Sequence, residues 1–277
     1  MRSTAAVLGS PISHSLSPVI HNRAYQILEV PGEYIAVEVG EENFLSWIKS
    51  ALSESNQWFG FSLTMPLKEL VISKQLEGLV EVDPLAKSIA SANTLYLKEG
   101  KWKAASTDAM GFTYLLDGKN PQRVAIFGAG GTTRAALAAL AALPAANEIK
   151  VDIFRRDNKR DALIRDAKFP LQLELRGWEE ISDFTEVDLL INTVPHSGVV
   201  GISNDLPESP MLIDAIYSPW PPALTELQRT RGGEAITGLE LLCAQAVPQV
   251  ALMTGKSFDS SWLYRLLLEE LQQRNFV

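Results

Sequence analysis

The sequence predicts an α/β fold of two domains, the second built on a doubly wound parallel sheet. Three observations predict it. Strand-like and helix-like segments alternate along most of the chain. Residues 123–136 (RVAIFGAGGTTRAA) read as a buried strand, a glycine turn and an alanine-rich helix. More than a hundred residues precede that turn, enough for a domain of their own.

The elements follow in chain order. Thr4 to Leu8 is a short apolar strand, ended by Gly9-Ser10-Pro11. Pro18 to Leu28 is a helix, with Ser17 as N-cap and Pro18 at its first position. Glu33 to Val39 alternates as a strand does. Glu42 to Glu54 has helical spacing, with Phe44, Leu45, Ile48 and Leu52 on one face. Trp58 to Leu63 is a strand running into Thr64-Met65-Pro66, and helical segments follow at 67–75 and 83–89. Thr94 to Leu97 and Trp102 to Ala105 form a hairpin across Glu99-Gly100. Thr107 to Leu116 is a connecting helix, and the turn-rich stretch 117–122 (DGKNPQ) follows it. Beyond come strand 124–127, helix 132–143, strand 149–154, helix 158–167, strand 171–175, short helix 178–182 and strands near 187–191 and 211–214. The tail from Leu239 is largely helical and is expected to pack back on the first domain. The expected domains are 1–107, 108–237 and the returning helices 238–277.

Composition narrows the function. The chain has 277 residues, 46% hydrophobic and 21% charged, as soluble globular proteins do. A net charge of −8 argues against nucleic acid or an anionic membrane as partner. No apolar run reaches bilayer length, and MRSTAAVLGSP has no signal-peptide core. The single cysteine, Cys243, suits a cytoplasmic setting, and three histidines offer no metal set. The oligomeric expectation stays open between monomer and homodimer.

The glycine turn is read as a dinucleotide site of Rossmann type. Gly128, Gly130 and Gly131 let the backbone approach a pyrophosphate, with Ala129 and Thr132 completing the turn. The helix behind it presents N–H groups to the anion. An NAD site usually places an acid after its second strand, about twenty residues on. Here Arg155 and Arg156 sit at that strand's tip, with Arg160 close behind. Guanidinium groups fit a 2′-phosphate bidentately, so NADP is favoured. Two alternatives stand beside this: the arginines are a solvated loop, or Asp152, inside the strand, takes the acid's role.

Outside this domain, small polar residues gather in ordered motifs: GSPISHSLSPVIHN (9–22), GFSLTMPLK (60–68), SANT (91–94), STDAMG (106–111), and Tyr217 to Pro219 with Gln245. Together they resemble the shikimate dehydrogenase family from about Ala5 to Gly255. The resemblance implies an NADP-dependent, metal-free reduction of 3-dehydroshikimate to shikimate, with a cleft closing over both ligands. It implies that Ser15 and Ser17, helped by Thr64 and Tyr217, bind the substrate carboxylate. It makes Lys68 and Asp108 the catalytic pair, and Asn93 and Gln245 substrate-binding residues. It places the nicotinamide near Thr193, Ile216 and Gly238. His14 and His196 are read as loop histidines without catalytic duty, and Cys243 as a small buried residue.

The chemistry suits these types. Reducing a ketone leaves alkoxide character on oxygen, which an ammonium can stabilise and protonate. Without the resemblance, Lys68 would read as a surface residue and Asp108 as a helix N-cap. The chain also departs from the family's pattern. Ser62 and Ser106 stand where asparagine is usual, Ser91 where alanine is usual, and Arg155 where asparagine is usual. Serine lacks the amide's reach and its paired donor and acceptor. The alternatives are therefore a quinate or aminoshikimate dehydrogenase of the same family, or a non-catalytic NADP-binding relative. A folate-type dehydrogenase would leave the paired serines unexplained.

Overall fold

The computed structural model describes residues 4–53, 57–199 and 206–274. The chain divides into two units. The first runs to Gly111 and resumes at Leu242–Arg274; the second is Phe112–Leu241. The divisions thus fall at 111/112 and 241/242, not at 107/108 and 237/238, and both lie inside helices. The turn-rich loop 117–122 lies within the second unit. A turn-rich loop marks where a chain can bend, whereas a unit boundary is set by what each residue packs against.

The first unit is a mixed six-stranded sheet in the order β2-β1-β3-β5-β6-β4. Its strands are β1 (Thr4–Gly9), β2 (Glu33–Glu38), β3 (Trp58–Leu63), β4 (Val80–Val82), β5 (Thr94–Lys98) and β6 (Lys101–Ala105). β1 pairs in parallel with β2 and β3, while β5 runs antiparallel to β3 and β6. The hairpin turns at Glu99-Gly100, as the sequence predicts. Side chains alternate across each strand. Ala6, Leu8, Phe61, Leu63 and Leu95 enter one core, with Phe44 and Ile48 of α2 (Glu41–Ser53) and Trp102 of β6. Burying a phenylalanine such as Phe61, with no exposed surface, contributes on the order of 2–3 kcal/mol.

Helices of the same unit are α1 (Ser17–Ile27), α3 (Pro84–Ser88), the first half of α4 (Thr107–Leu115), most of α9 (Gly238–Thr254) and α10 (Ser260–Gln273). α9 lays Gln245, Gln249 and Met253, one turn apart, against the strands. Gln245 meets Asn93, Gln249 meets Ser62 and Thr94, and Met253 sits over Gly60. α10 packs on α1, so the tail returns to the first unit.

Two expectations are corrected, and one strand goes unforeseen. Ser17 is not the N-cap of α1: Leu16 takes that place, and its side chain makes no cap bond. The helix expected at 67–75 is two short 3₁₀ turns, Leu70–Ile72 and Lys74–Leu76. Ser73 between them is extended, which lets both Val71 and Leu76 reach the core where one straight helix would not. The strand β4 carries too few residues to show a period. Its pairing with β6 forms it.

The second unit is a six-stranded, fully parallel sheet in the order β12-β11-β10-β7-β8-β9. Its strands are β7 (Arg123–Phe127), β8 (Lys150–Arg155), β9 (Gln172–Gly177), β10 (Leu189–Asn192), β11 (Met211–Asp214) and β12 (Glu234–Ile236). That order is the doubly wound dinucleotide arrangement, reversing between β7 and β10. Its helices are α5 (Gly131–Ala141), α6 (Asp161–Asp166), α7 (His196–Val199) and α8 (Ala223–Thr230). The segment 178–183 is a 3₁₀ helix. α7, α8 and β12 escape the sequence reading. Among the described residues no helix is long and apolar enough to cross a membrane.

Candidate active site

Lys68 and Asp108 come together although forty residues separate them. Lys68 Nζ lies 2.6 Å from Asp108 Oδ2, and both side chains are largely buried. Lys68 follows β3 after the Thr64-Met65-Pro66 turn, and its carbonyl accepts the Ala92 N–H. Asp108 stands in the first turn of α4, where a carboxylate faces the helix dipole favourably.

Asn93 organises this pair. Its Oδ1 accepts the N–H groups of Thr107 (2.7 Å) and Asp108 (3.2 Å), so it caps α4 from another element. Its Nδ2 donates to Asp108 Oδ1 at 2.9 Å and to Gln245 Oε1 at 3.1 Å. Gln245 Nε2 in turn donates to the Leu242 carbonyl. Both amide protons of Asn93 are thus committed within the protein. Ser106, one of the departures, accepts the Ala109 N–H at 3.4 Å and retains a cap for α4.

The serine pair lies at the start of α1. Ser17 N–H donates to Ser15 Oγ at 3.3 Å, and the Ser17 hydroxyl is buried. The Ser17 carbonyl accepts from His21 Nδ1 at 2.9 Å. Burial holds His21 down at about 4, so its ring is neutral near pH 7. His21 stacks on Tyr34 at 4.0 Å, and Tyr34 reaches Ser62. Thr64 follows β3, its N–H on the Leu8 carbonyl. His14 is exposed, His196 begins α7, and Cys243 is buried. Tyr217 belongs to the second unit, half-buried after β11.

The nucleotide turn sits at the sheet's reversal. Gly128 has φ +109°, and a Cβ there would lie 2.3 Å from Thr193 Oγ1. Thr193 is itself fixed: its hydroxyl donates to the Phe127 carbonyl at 2.7 Å and pairs with Thr133 Oγ1 at 2.9 Å. Gly130 is the N-cap of α5 and supplies no side-chain cap, and a Cβ there would meet nothing within 4 Å. This leaves open backbone before a helix N-terminus, with Ala129, Gly131 and Thr132 beside it, which fits a pyrophosphate. Gly238 lets the start of α9 approach Ile216, whose carbonyl would lie 2.7 Å from a Cβ.

The arginines separate into different roles. Arg155 closes a bidentate fork on Asp161, with both N···O distances 2.8 Å. That fork raises the arginine and pulls the Asp161 carboxyl below its ordinary range. Arg155 therefore ties the end of β8 to the start of α6. Arg156 and Arg160 are exposed on the same loop. Asp152 is held by Arg176 Nε at 2.6 Å, across to β9. The sequence does not distinguish the two arginines' fates, because Asp161 offers no motif.

Asp214 belongs to no motif in the sequence. It ends β11, is 1% exposed, and accepts from Asn192 Nδ2 (2.8 Å) and Ile216 N–H (3.2 Å). Burial pushes its carboxyl up to about 6, against these hydrogen bonds and the attraction of His196. The unfolded chain ionises first as pH rises, so this group's contribution to stability is present below about pH 4 and lost through about pH 6. An amide retains both accepted bonds without the charge. Asp214→Asn is therefore expected to stabilise the protein above pH 7, by up to about 3 kcal/mol, with the gain fading towards pH 4. Urea unfolding at pH 8 and pH 4.5 checks this. No gain at pH 8, or an equal gain at both, refutes it.

Comparison with known proteins places this geometry in context. Residues 7–95 match the family model described as shikimate dehydrogenase substrate binding domain. The shikimate dehydrogenase (NADP(+)) of Streptococcus pneumoniae (strain ATCC 700669 / Spain 23F-1) is 30% identical over 287 residues, covering 97% of each chain. The crystal structure of Mycobacterium tuberculosis shikimate dehydrogenase superposes with a TM-score of 0.82 at 29% identity, covering 96% of this chain and 99% of that one. The Thermus thermophilus shikimate 5-dehydrogenase, in complex with NADP(H) and shikimate, gives a TM-score of 0.75 at 30% identity over 97% of this chain and all of that one. At that identity over nearly its whole length, the chain belongs to the shikimate dehydrogenase family.

Proposed function

We propose that this chain is an NADP-dependent dehydrogenase that reversibly reduces 3-dehydroshikimate to shikimate. The observation that carries the reading is the buried Lys68–Asp108 pair, oriented by Asn93 and Gln245. A Thermus relative with a matching fold was crystallised with both NADP(H) and shikimate, which supports the choice of ligands.

The bound coenzyme would supply the hydride. The chain's residues would do the rest. The Lys68 ammonium would stabilise the charge growing on the reduced oxygen and give it a proton. Asp108 would keep that ammonium aimed and accept from a substrate hydroxyl. Ser15, Ser17 and Thr64, with Tyr217, would hold the carboxylate through hydroxyl donors, and Gln245 would meet the ring hydroxyls. The backbone at 128–132 would cradle the pyrophosphate, with Thr193, Ile216 and Gly238 at the nicotinamide end. We assign it a cytoplasmic role on a small-molecule substrate, as monomer or homodimer; the single cysteine supports the setting and the acidic charge the small-molecule partner.

Coenzyme formation at 340 nm, with shikimate as donor, tests the reaction. Turnover with shikimate and NADP⁺ is expected to exceed that with quinate or NAD⁺; turnover confined to quinate rejects the assignment. For the 2′-phosphate, Arg156 is the ligand and Arg155 the loop's anchor. Arg156→Ala is expected to raise KM for NADP⁺ by about tenfold or more, the loss of a charge-assisted contact, while leaving KM for NAD⁺ within about twofold. Equal effects on both coenzymes would remove Arg156 from phosphate recognition.

A further inference from the structure

A chain of buried hydrogen bonds runs into the Lys68–Asp108 pair, and its direction can be deduced. Backbone amides only donate, so the Asn93 atom that meets the N–H groups of Thr107 and Asp108 is its oxygen. The Thr107 hydroxyl, 3.1 Å from that oxygen, donates to it. With its proton committed, Thr107 accepts from the Thr94 hydroxyl at 2.8 Å. Thr94 must then accept from Gln249 Nε2, 3.1 Å away. That turns Gln249 Oε1 towards Ser62, whose hydroxyl donates to it at 2.9 Å. Ser62 in turn accepts from the Tyr34 hydroxyl at 2.5 Å. At the far end Asn93 Nδ2 donates to Asp108 Oδ1, and Lys68 holds Oδ2.

Every proton in this run points the same way, from Tyr34 to Asp108. Tyr34, Ser62, Gln249, Thr94, Thr107 and Asn93 are each no more than 4% exposed. Water therefore has little access to replace a missing link, and each bond polarises the next. We infer that Tyr34 is a positioning residue for the Lys68–Asp108 pair, acting through Ser62 and Gln249. Its hydroxyl donates to Ser62 Oγ, so the Ser62 proton is directed away from Tyr34 and to Gln249. This gives Gln249 Oε1 its donor and holds the amide in the orientation in which Nε2 meets Thr94 and the Asn93 carbonyl, and through the two threonines it adds a donor to Asn93 Oδ1. Without Tyr34's hydroxyl, Ser62 can turn its proton elsewhere, Gln249 Oε1 loses its donor, and the amide's hold on Thr94 loosens.

The inference rests on the dehydrogenase reading, and kinetics with shikimate test it. Tyr34→Phe keeps the ring stacked on His21 and removes only the hydroxyl. It is expected to lower kcat about five- to tenfold, with KM for shikimate and for NADP⁺ within about twofold of wild type. Ser62→Ala breaks the same chain at its next link and should give the same loss, and it carries the test if Tyr34→Phe folds poorly. Because both act in one series, the double variant should be no slower than either single. Tyr25→Phe is the control. Tyr25 is equally buried in the same aromatic group, but its hydroxyl has no hydrogen-bond partner among the described residues, so kcat should not change. The proposal is overturned if Tyr34→Phe retains kcat within about twofold, if the two losses multiply, or if Tyr25→Phe is equally slow. A wild-type protein inert towards shikimate would instead overturn the reaction assignment. Active wild type with unaffected Tyr34→Phe overturns this inference alone.

Discussion

Lys68→Ala is expected to lower kcat by roughly 10²-fold or more, the scale of a lost proton-transfer group. Its ammonium is 2.6 Å from Asp108 and largely buried, so no other described cation is positioned to replace it on that carboxylate. KM for NADP⁺ should change little, because the glycine turn belongs to the other unit. Fold stability should also change, since alanine leaves Asp108 without its ion partner. Circular dichroism and urea unfolding therefore accompany the kinetics. A folded variant with near-normal kcat would remove Lys68 from the mechanism.

Asn93→Ala is expected to have the largest effect on stability of any single change at the site. It leaves the Thr107 and Asp108 N–H groups buried without their acceptor, and takes one donor from Asp108 and one from Gln245. Each buried orphan costs about 1–3 kcal/mol, so a loss of about 3 kcal/mol or more is expected. kcat should fall as well, because Asp108 is no longer held on both oxygens. Urea unfolding measures the first and initial rates the second. A variant within about 0.5 kcal/mol of wild type, the range of a neutral surface change, would show that α4 is capped without Asn93.

Both predictions concern residues named from motifs, yet the motifs do not disclose how those residues work. The sequence marks Asn93 as a substrate ligand, and the structure commits both of its amide protons to Asp108 and Gln245. Arg155 and Arg156 read alike in sequence, and the fork on Asp161 distinguishes them. Ser62 and Ser106 read as losses of an amide. In the fold Ser106 caps α4, and Ser62 joins Tyr34 to Gln249. For Gln249 the sequence holds a clue: it lies one helical turn beyond Gln245, so the two amides share a face. Asp214 also has a signal, as the charged end of an apolar strand.

What can be read without coordinates is local. The alternation of strands and helices, the hairpin at Glu99-Gly100, the glycine turn after β7 and the helical tail all depend on neighbours within one or two turns, where backbone geometry and period leave their mark. What requires the folded chain is the partnership of distant groups. Ser62 and Gln249 stand 187 positions apart, and Asn93 and Gln245 stand 152 apart. The polarity of the chain that joins them follows from two backbone N–H groups at the start of α4. A hydrogen bond has no sequence signature when its donor and acceptor come from different elements. Its partner, length and direction exist only once the sheet and the returning helix bring the two into contact.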